Sequence, residues 1–126
     1  MSISRPIIPP YHVVSSHSMG ATFTSTPTII TNLSMISYDI AWSAGSTPVG
    51  VITVEVSNTY ALKGDGTVRT AGNWTTLTLS SACAVSGNSG NGAIDVDATA
   101  FYAIRLKYTR TSGSGTLDVT LNAKVA

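Results

Sequence analysis

Towards the end of the chain Leu117, Val119, Leu121, Ala123 and Val125 alternate with Asp118, Thr120, Asn122 and Lys124. A two-residue period belongs to an extended strand, whose successive side chains leave on opposite faces, and it cannot form one face of a 3.6-residue helix. The period recurs at 51–57, where Ile52, Val54 and Val56 oppose Thr53, Glu55 and Ser57. It recurs again at 35–42, where Ile36, Tyr38, Ile40 and Trp42 oppose Ser37, Asp39 and Ala41, and more briefly in Ile94-Asp95-Val96-Asp97. In 101–108 the set Phe101, Ile104 and Tyr108 fits a helical face, but Tyr102, Ile104, Leu106 and Tyr108 fit a strand more completely, so this stretch is read as a strand. Shorter polar strands are expected at 12–18, 21–24 and 28–31, and a Thr-rich one at 74–79 with Leu77 and Leu79 inward.

Turn-forming residues separate these runs. Gly45-Ser46-Thr47-Pro48 reads as a turn, 58–73 as a long loop holding Gly64-Asp65-Gly66 and Ala71-Gly72-Asn73, 86–92 as a Gly-rich connection, and 111–115 as a hairpin-like turn. Short strands at this spacing predict an all-β fold, an antiparallel β-sandwich or jelly roll. Composition agrees, because only 10% of residues are charged and solubility falls to abundant Ser and Thr, which disfavour helix interiors. Residues 12–126 are expected to form one domain, since a chain of 126 residues can bury a self-sufficient core.

The first eleven residues contain Pro6, Pro9 and Pro10, which exclude helix and interrupt the apolar stretch a signal peptide needs. An extended arm is expected at 1–11. Its apolar residues Ile3, Ile7, Ile8 and Tyr11, with the three prolines, are expected to dock either on the chain's own domain or on a neighbouring subunit. No apolar run approaches the ~20 residues that span a bilayer, so the chain is expected to be soluble, made in the cytoplasm and without a membrane partner. A net charge of +1 offers no footprint for nucleic acid, which requires many Lys or Arg contacts to phosphate. The one cysteine, Cys83, excludes an internal disulfide and is expected to be a small buried thiol.

Few residues suggest chemistry. Gly87-Asn88-Ser89-Gly90 resembles the loop around a serine-protease nucleophile, with Asn88 in place of Asp, but acyl transfer also needs a histidine base and an orienting carboxylate. His12 and His17 are the only histidines, and their spacing of five on a strand puts them on opposite faces, which argues against a shared metal. Asp95 and Asp97 share a face and suit either Ca²⁺ or an acid/base pair. Arg105 and Lys107 have the outward parity on the next strand, so ion pairing with Asp95 and Asp97 is the simpler expectation. Asp65 between two glycines is a weak candidate cation ligand. Trp74 at the border of the long loop suits either a core lid or a surface that stacks on a sugar. Asn32-Leu33-Ser34 and Asn73-Trp74-Thr75 match the glycosylation sequon, which matters only on a secretory route. The expectation is of no catalytic residues, no metal and no cofactor.

The stretches Val51-Ile52-Thr53-Val54-Glu55-Val56-Ser57-Asn58, Asn73-Trp74-Thr75-Thr76-Leu77 and 103–117 (AIRLKYTRTSGSGTL) resemble small β-sandwich virion proteins of bacteriophages, of the kind that decorate or cement heads or sit on fibres and tails. The resemblance covers about residues 35–126. It implies a non-enzymatic structural subunit of the virion that forms a homo-oligomer, by analogy a trimer, and attaches to other virion proteins through its arm and a sandwich face. A more distant likeness to discoidin-type sandwiches implies the alternative of a carbohydrate-binding module, with Trp74 and the 58–73 loop as the site and surface glycans as partners.

Overall fold

The computed structural model describes residues 7–30, 35–77, 83–96 and 101–124, and every regular element among them is a strand. In chain order these are β1 (Ile7–Ser18), β2 (Phe23–Thr24), β3 (Thr28–Ile29), β4 (Met35–Ser57), β5 (Ala61–Leu62), β6 (Val68–Thr70), β7 (Thr75–Thr76), β8 (Cys83–Val85), β9 (Gly90–Val96) and β10 (Ala103–Lys124). The protein is all-β and antiparallel, as its two-residue periodicity predicts.

Its frame is a ribbon. Strands β4 and β10 pair antiparallel from Ala103↔Ser57 to Lys124↔Met35, and each carries two of the alternating runs end to end. One half of the ribbon forms the middle of a sheet ordered β1-β10-β4-β9; the other half is flanked by β2 and β3 on the β10 side and by β7 and β8 on the β4 side. The first layer has four strands, and the second is four strands wide with β2 and β3 sharing one edge and β7 and β8 the other; two such layers on one folded ribbon resemble the arrangement of a jelly roll. One buried cluster joins them, with Ile36, Tyr38, Ile40, Ile94, Val119 and Leu121 from the first layer and Ile52, Val54, Val85, Ile104, Leu106 and Tyr108 from the second.

The expected turns at 45–48 and 111–115 are not chain reversals. Both strands run through them, and the glycines and serines that resemble turn residues serve a bulged corner instead. Between the pairs Arg110↔Gly50 and Thr116↔Ser43, β10 advances six residues and β4 seven. That extra residue shifts the phase of one strand against the other, and a one-residue shift exchanges faces. The positions that β4 gives to the core cluster therefore stay even-numbered throughout, while those of β10 change from Ile104, Leu106 and Tyr108 to Leu117, Val119, Leu121 and Ala123.

The corner holds backbone conformations that side chains resist. Ala44 (φ 52°) and Thr47 (φ 47°) lie in the left-handed region, which is costly for a β-branched residue, and Gly113 (φ 75°) faces them across the ribbon. The connection before β9 holds the corner in place. Asn88 accepts the Thr47 N–H through Oδ1 at 2.8 Å and the Gly45 N–H through its carbonyl at 3.1 Å. Trp42 Nε1–H donates to the Gly87 carbonyl at 3.3 Å. The Gly-rich connection is shorter than expected, because Gly90 and Gly92 already belong to β9; a Cβ on Gly90 would collide with the Trp42 indole that covers it.

The expected long loop at 58–73 contains a small hairpin, β5 with β6. The strand expected at 74–79 is ordered as β7 at Thr75–Thr76, with Leu77 half-buried against the core. Leu79 lies outside the described residues. Residues 7–11 of the expected arm are the start of β1 and pair with the chain's own β10 (Ile7↔Lys124, Ile8↔Ala123, Tyr11↔Leu121). The register slips between Ile8 and Tyr11, at Pro9 and Pro10, which have no N–H to give the ladder. Ile3 and Pro6 lie outside the described residues.

Gly113→Ala tests the corner. Its Cβ would meet the Thr47 carbonyl in a left-handed backbone conformation, so the expected loss is about 2–4 kcal/mol by chemical denaturation. Gly64→Ala, where a Cβ meets nothing within 4 Å, is expected to stay within ~0.5 kcal/mol of the native chain.

Candidate functional site

The segment between β4 and β7 folds back over the outer face of the second layer. Ser57 Oγ starts the reversal by accepting the N–H groups of Thr59 (3.1 Å) and Tyr60 (3.2 Å), and Thr59 Oγ1 closes it by accepting the Asn73 N–H at 2.6 Å. Tyr60 and Trp74 are thereby brought together, rings tilted, with centroids 5.6 Å apart. Beneath them lies a charged pair that the sequence does not announce. Glu55 and Arg105 stand directly opposite in the ribbon, and Arg105 Nε donates to Glu55 Oε1 at 2.8 Å, the two side chains being 23% (Arg105) and 10% (Glu55) exposed. The guanidinium sits 4.2 Å from the centre of the Trp74 ring, a cation–π contact.

Trp74 is thus a lid. It gives its indole N–H to the Ala71 carbonyl at 2.8 Å and lies against Arg105, so both its polar atom and part of its π surface are used inside the protein. Asp65 forms the tip of the β5–β6 hairpin, where its Oδ1 accepts the Thr67 hydroxyl at 2.6 Å and the Thr67 N–H at 3.0 Å. These bonds, the hydroxyl first, hold its carboxyl below the ordinary value of 3.8. The arrangement is that of an Asx turn, with the carboxylate satisfied locally.

The ion pairs expected of Asp95 with Arg105 and Lys107 are corrected by the sheet order. Strand β9 pairs with the first half of β4, placing Asp95 opposite Ser37, whereas Arg105 faces Glu55 and Lys107 faces Thr53 in the other layer. Strands consecutive in sequence here belong to different layers, so parity on neighbouring strands does not make neighbours in space. Asp97 lies outside the described residues.

The remaining candidates are also separated. His12 and His17 belong to β1 and Ser89 directly precedes β9, at the two edges of the first layer with β10 and β4 between them. Three strand spacings of ~4.8 Å set those edges apart by ~14 Å, too far for a hydroxyl and its base. His17 stacks on Phe23 with centroids 3.7 Å apart, and His12 Nδ1 lies 3.5 Å from Thr120 Oγ1. Among the described residues no three His, Cys, Asp or Glu side chains gather as a metal site would require. Cys83 is half-buried rather than fully buried, and burial pushes its thiol above the ordinary value.

Beside the Trp74 lid, at the end of the sandwich away from the corner, opens a cleft of about 400 Å³. Val56, Leu77 and Phe101 form its apolar side; Asn58, Asn73, Thr75 and Thr76 supply amides and hydroxyls. The Asn58 amide is oriented by its Oδ1, which accepts the Tyr102 N–H at 3.0 Å. Among the described residues none of the lining side chains is ionisable, which suits a neutral ligand with both apolar and hydroxyl faces. The site expected at Trp74 and the 58–73 loop overlaps the cleft at Asn58 and Asn73, while Trp74 stands beside the cleft and Phe101 joins it from outside that expectation. The described residues form an antiparallel β-sandwich with a small cleft whose described lining carries no charge. No family model, curated protein or solved structure matches the chain.

Arg105→Ala strands Glu55 beneath the lid and is expected to cost about 2–4 kcal/mol in chemical denaturation. The double variant Glu55→Ala/Arg105→Ala is expected to cost less than the sum of the two single variants, because no buried charge is left alone.

Proposed function

We propose that this protein is a non-enzymatic structural subunit of a bacteriophage virion, a decoration, cement, fibre or tail-associated protein that associates with copies of itself and with other virion proteins. The observation that carries the reading is the strand order: the β4–β10 ribbon, folded at its bulge between two four-stranded layers, is an arrangement used by viral capsid subunits and by lectins. Because one fold serves many functions, the surface chemistry decides between them. The side chains that suggested hydrolysis sit at opposite edges of a sheet, and the charged pair closest to a cleft is spent in supporting a loop. A net charge of +1 leaves little repulsion between copies.

The test is sedimentation and electron microscopy of the purified full chain. A discrete homo-oligomer is expected, and a chain that remains monomeric overturns the reading. Removing residues 1–6, which stops short of the first residue paired to β10, is expected to preserve a β-type circular dichroism spectrum while weakening attachment to the particle.

The cleft favours a second reading, binding of neutral carbohydrate, in which sugar C–H groups lie on Phe101 and hydroxyls bond to Asn73, Thr75 and Thr76. A glycan array separates the two: binding lost in Asn73→Ala supports this reading, and silence across the array removes it. Asn73 is the residue to replace, since removing Trp74 would also uncover Arg105.

A further inference from the structure

The four edges of the two layers are unequally protected. Strands β2, β3 and β7 are two residues long and β8 three, too short to template another strand. Strand β1 is long, but its register slips at three places, and it contains Pro9, Pro10 and Ser16 with φ 47°. Strand β9 has none of these defences. It runs seven residues in unbroken register with β4, from Ile36↔Val96 to Trp42↔Gly90, and among the described residues it pairs with no other strand. An edge of that kind presents a row of backbone donors and acceptors.

We infer that β9 is a self-association edge, and that it pairs antiparallel with the β9 of a second copy about a two-fold axis at Ala93. Two features of the strand point to a copy of itself as the occupant. In an antiparallel pair of identical strands, full overlap of Gly90–Val96 requires the axis to pass through Ala93, the middle residue. In that register Asn91 of each copy faces Asp95 of the other on the exposed face. An amide donor then meets a carboxylate twice by symmetry, and the two Asp95 charges are kept apart. On the opposite face Gly92 faces Ile94 and Gly90 faces Val96, small residues against large ones, so no side chain obstructs the approach. The first layers of the two copies become one eight-stranded sheet.

This inference rests on the proposed self-association and specifies its route and stoichiometry: a dimer, or an assembly of dimers, in place of the trimer the virion resemblance implies. Ala93 is exposed and on the outer face, so Ala93→Lys places two like charges on the axis without disturbing the core. The native full chain is expected to sediment as a dimer or an even multiple, and Ala93→Lys to lose that pairing, halving the mass with an unchanged circular dichroism spectrum. In a Cys83→Ser background, Ala93→Cys is expected to cross-link the dimer on oxidation. Asn91→Cys should not, because its copies would lie about four residues, ~13 Å, apart along the strands. An oligomer that survives Ala93→Lys, or that cross-links through Asn91→Cys and not through Ala93→Cys, overturns the inference and leaves the virion reading standing. A monomeric native chain overturns both.

Discussion

The one-residue mismatch between β4 and β10 at the corner governs the rest of the structure. A flat ribbon of that length would expose one apolar face along its whole extent. The bulge bends it so that Ile36, Tyr38 and Ile40 come to share a core with Ile52, Val54 and Ile104, and the change of phase in β10 keeps both halves of that strand inward. Strain from Ala44 and Thr47 is concentrated at the bend, and the bonds from Asn88 and Gly87 offset it from outside the ribbon. The loop that superficially resembles a nucleophile motif is therefore a brace. Its asparagine is suited to that work because one residue supplies a side-chain and a backbone acceptor to adjacent parts of the bend.

The strands were legible in the sequence because burial on one face imposes a period that composition cannot disguise. The layer each strand joins was not. Residues 35–42 and 51–57 each show the alternation, but nothing local distinguishes a turn between two strands from a bulge within one, since both call for Gly, Ser and positive φ. That ambiguity produced the two misread turns. It also produced the misplaced ion pairs, because a reversal at 98–102 in a simple meander would put Asp95 beside Arg105, whereas crossing between layers puts Glu55 there.

The cluster at the candidate site shows a second limit. Glu55 has the outward parity of its strand and reads from sequence as a solvated acid; it is buried because the 58–74 segment lies over it. Only the tertiary path of that segment makes Arg105 its necessary partner and Trp74 their cover. The sequence leaves Trp74 open between a core lid and a sugar-stacking surface; it lies over Arg105 and gives its N–H to the Ala71 carbonyl, outside the core cluster. The cleft beside it draws Asn58, Asn73 and Phe101 from three places in the chain, and no spacing rule connects them.

Edge protection and surface charge bear on the same question of assembly. A monomeric sandwich usually defends its edges with charge, proline, bulges or brevity, and here three of the four edges are so defended. With only 10% charged residues overall, the chain has little long-range repulsion with which to keep copies apart. Under those conditions one regular, nearly uncharged strand edge would dominate an encounter of the kind inferred above. The position of Asp95 would then act chiefly on register, because sliding the two strands so that like charges meet would remove both the inferred amide–carboxylate contacts and part of the strand overlap. Pairing through a strand edge would draw on backbone donors and acceptors and so would need no apolar patch.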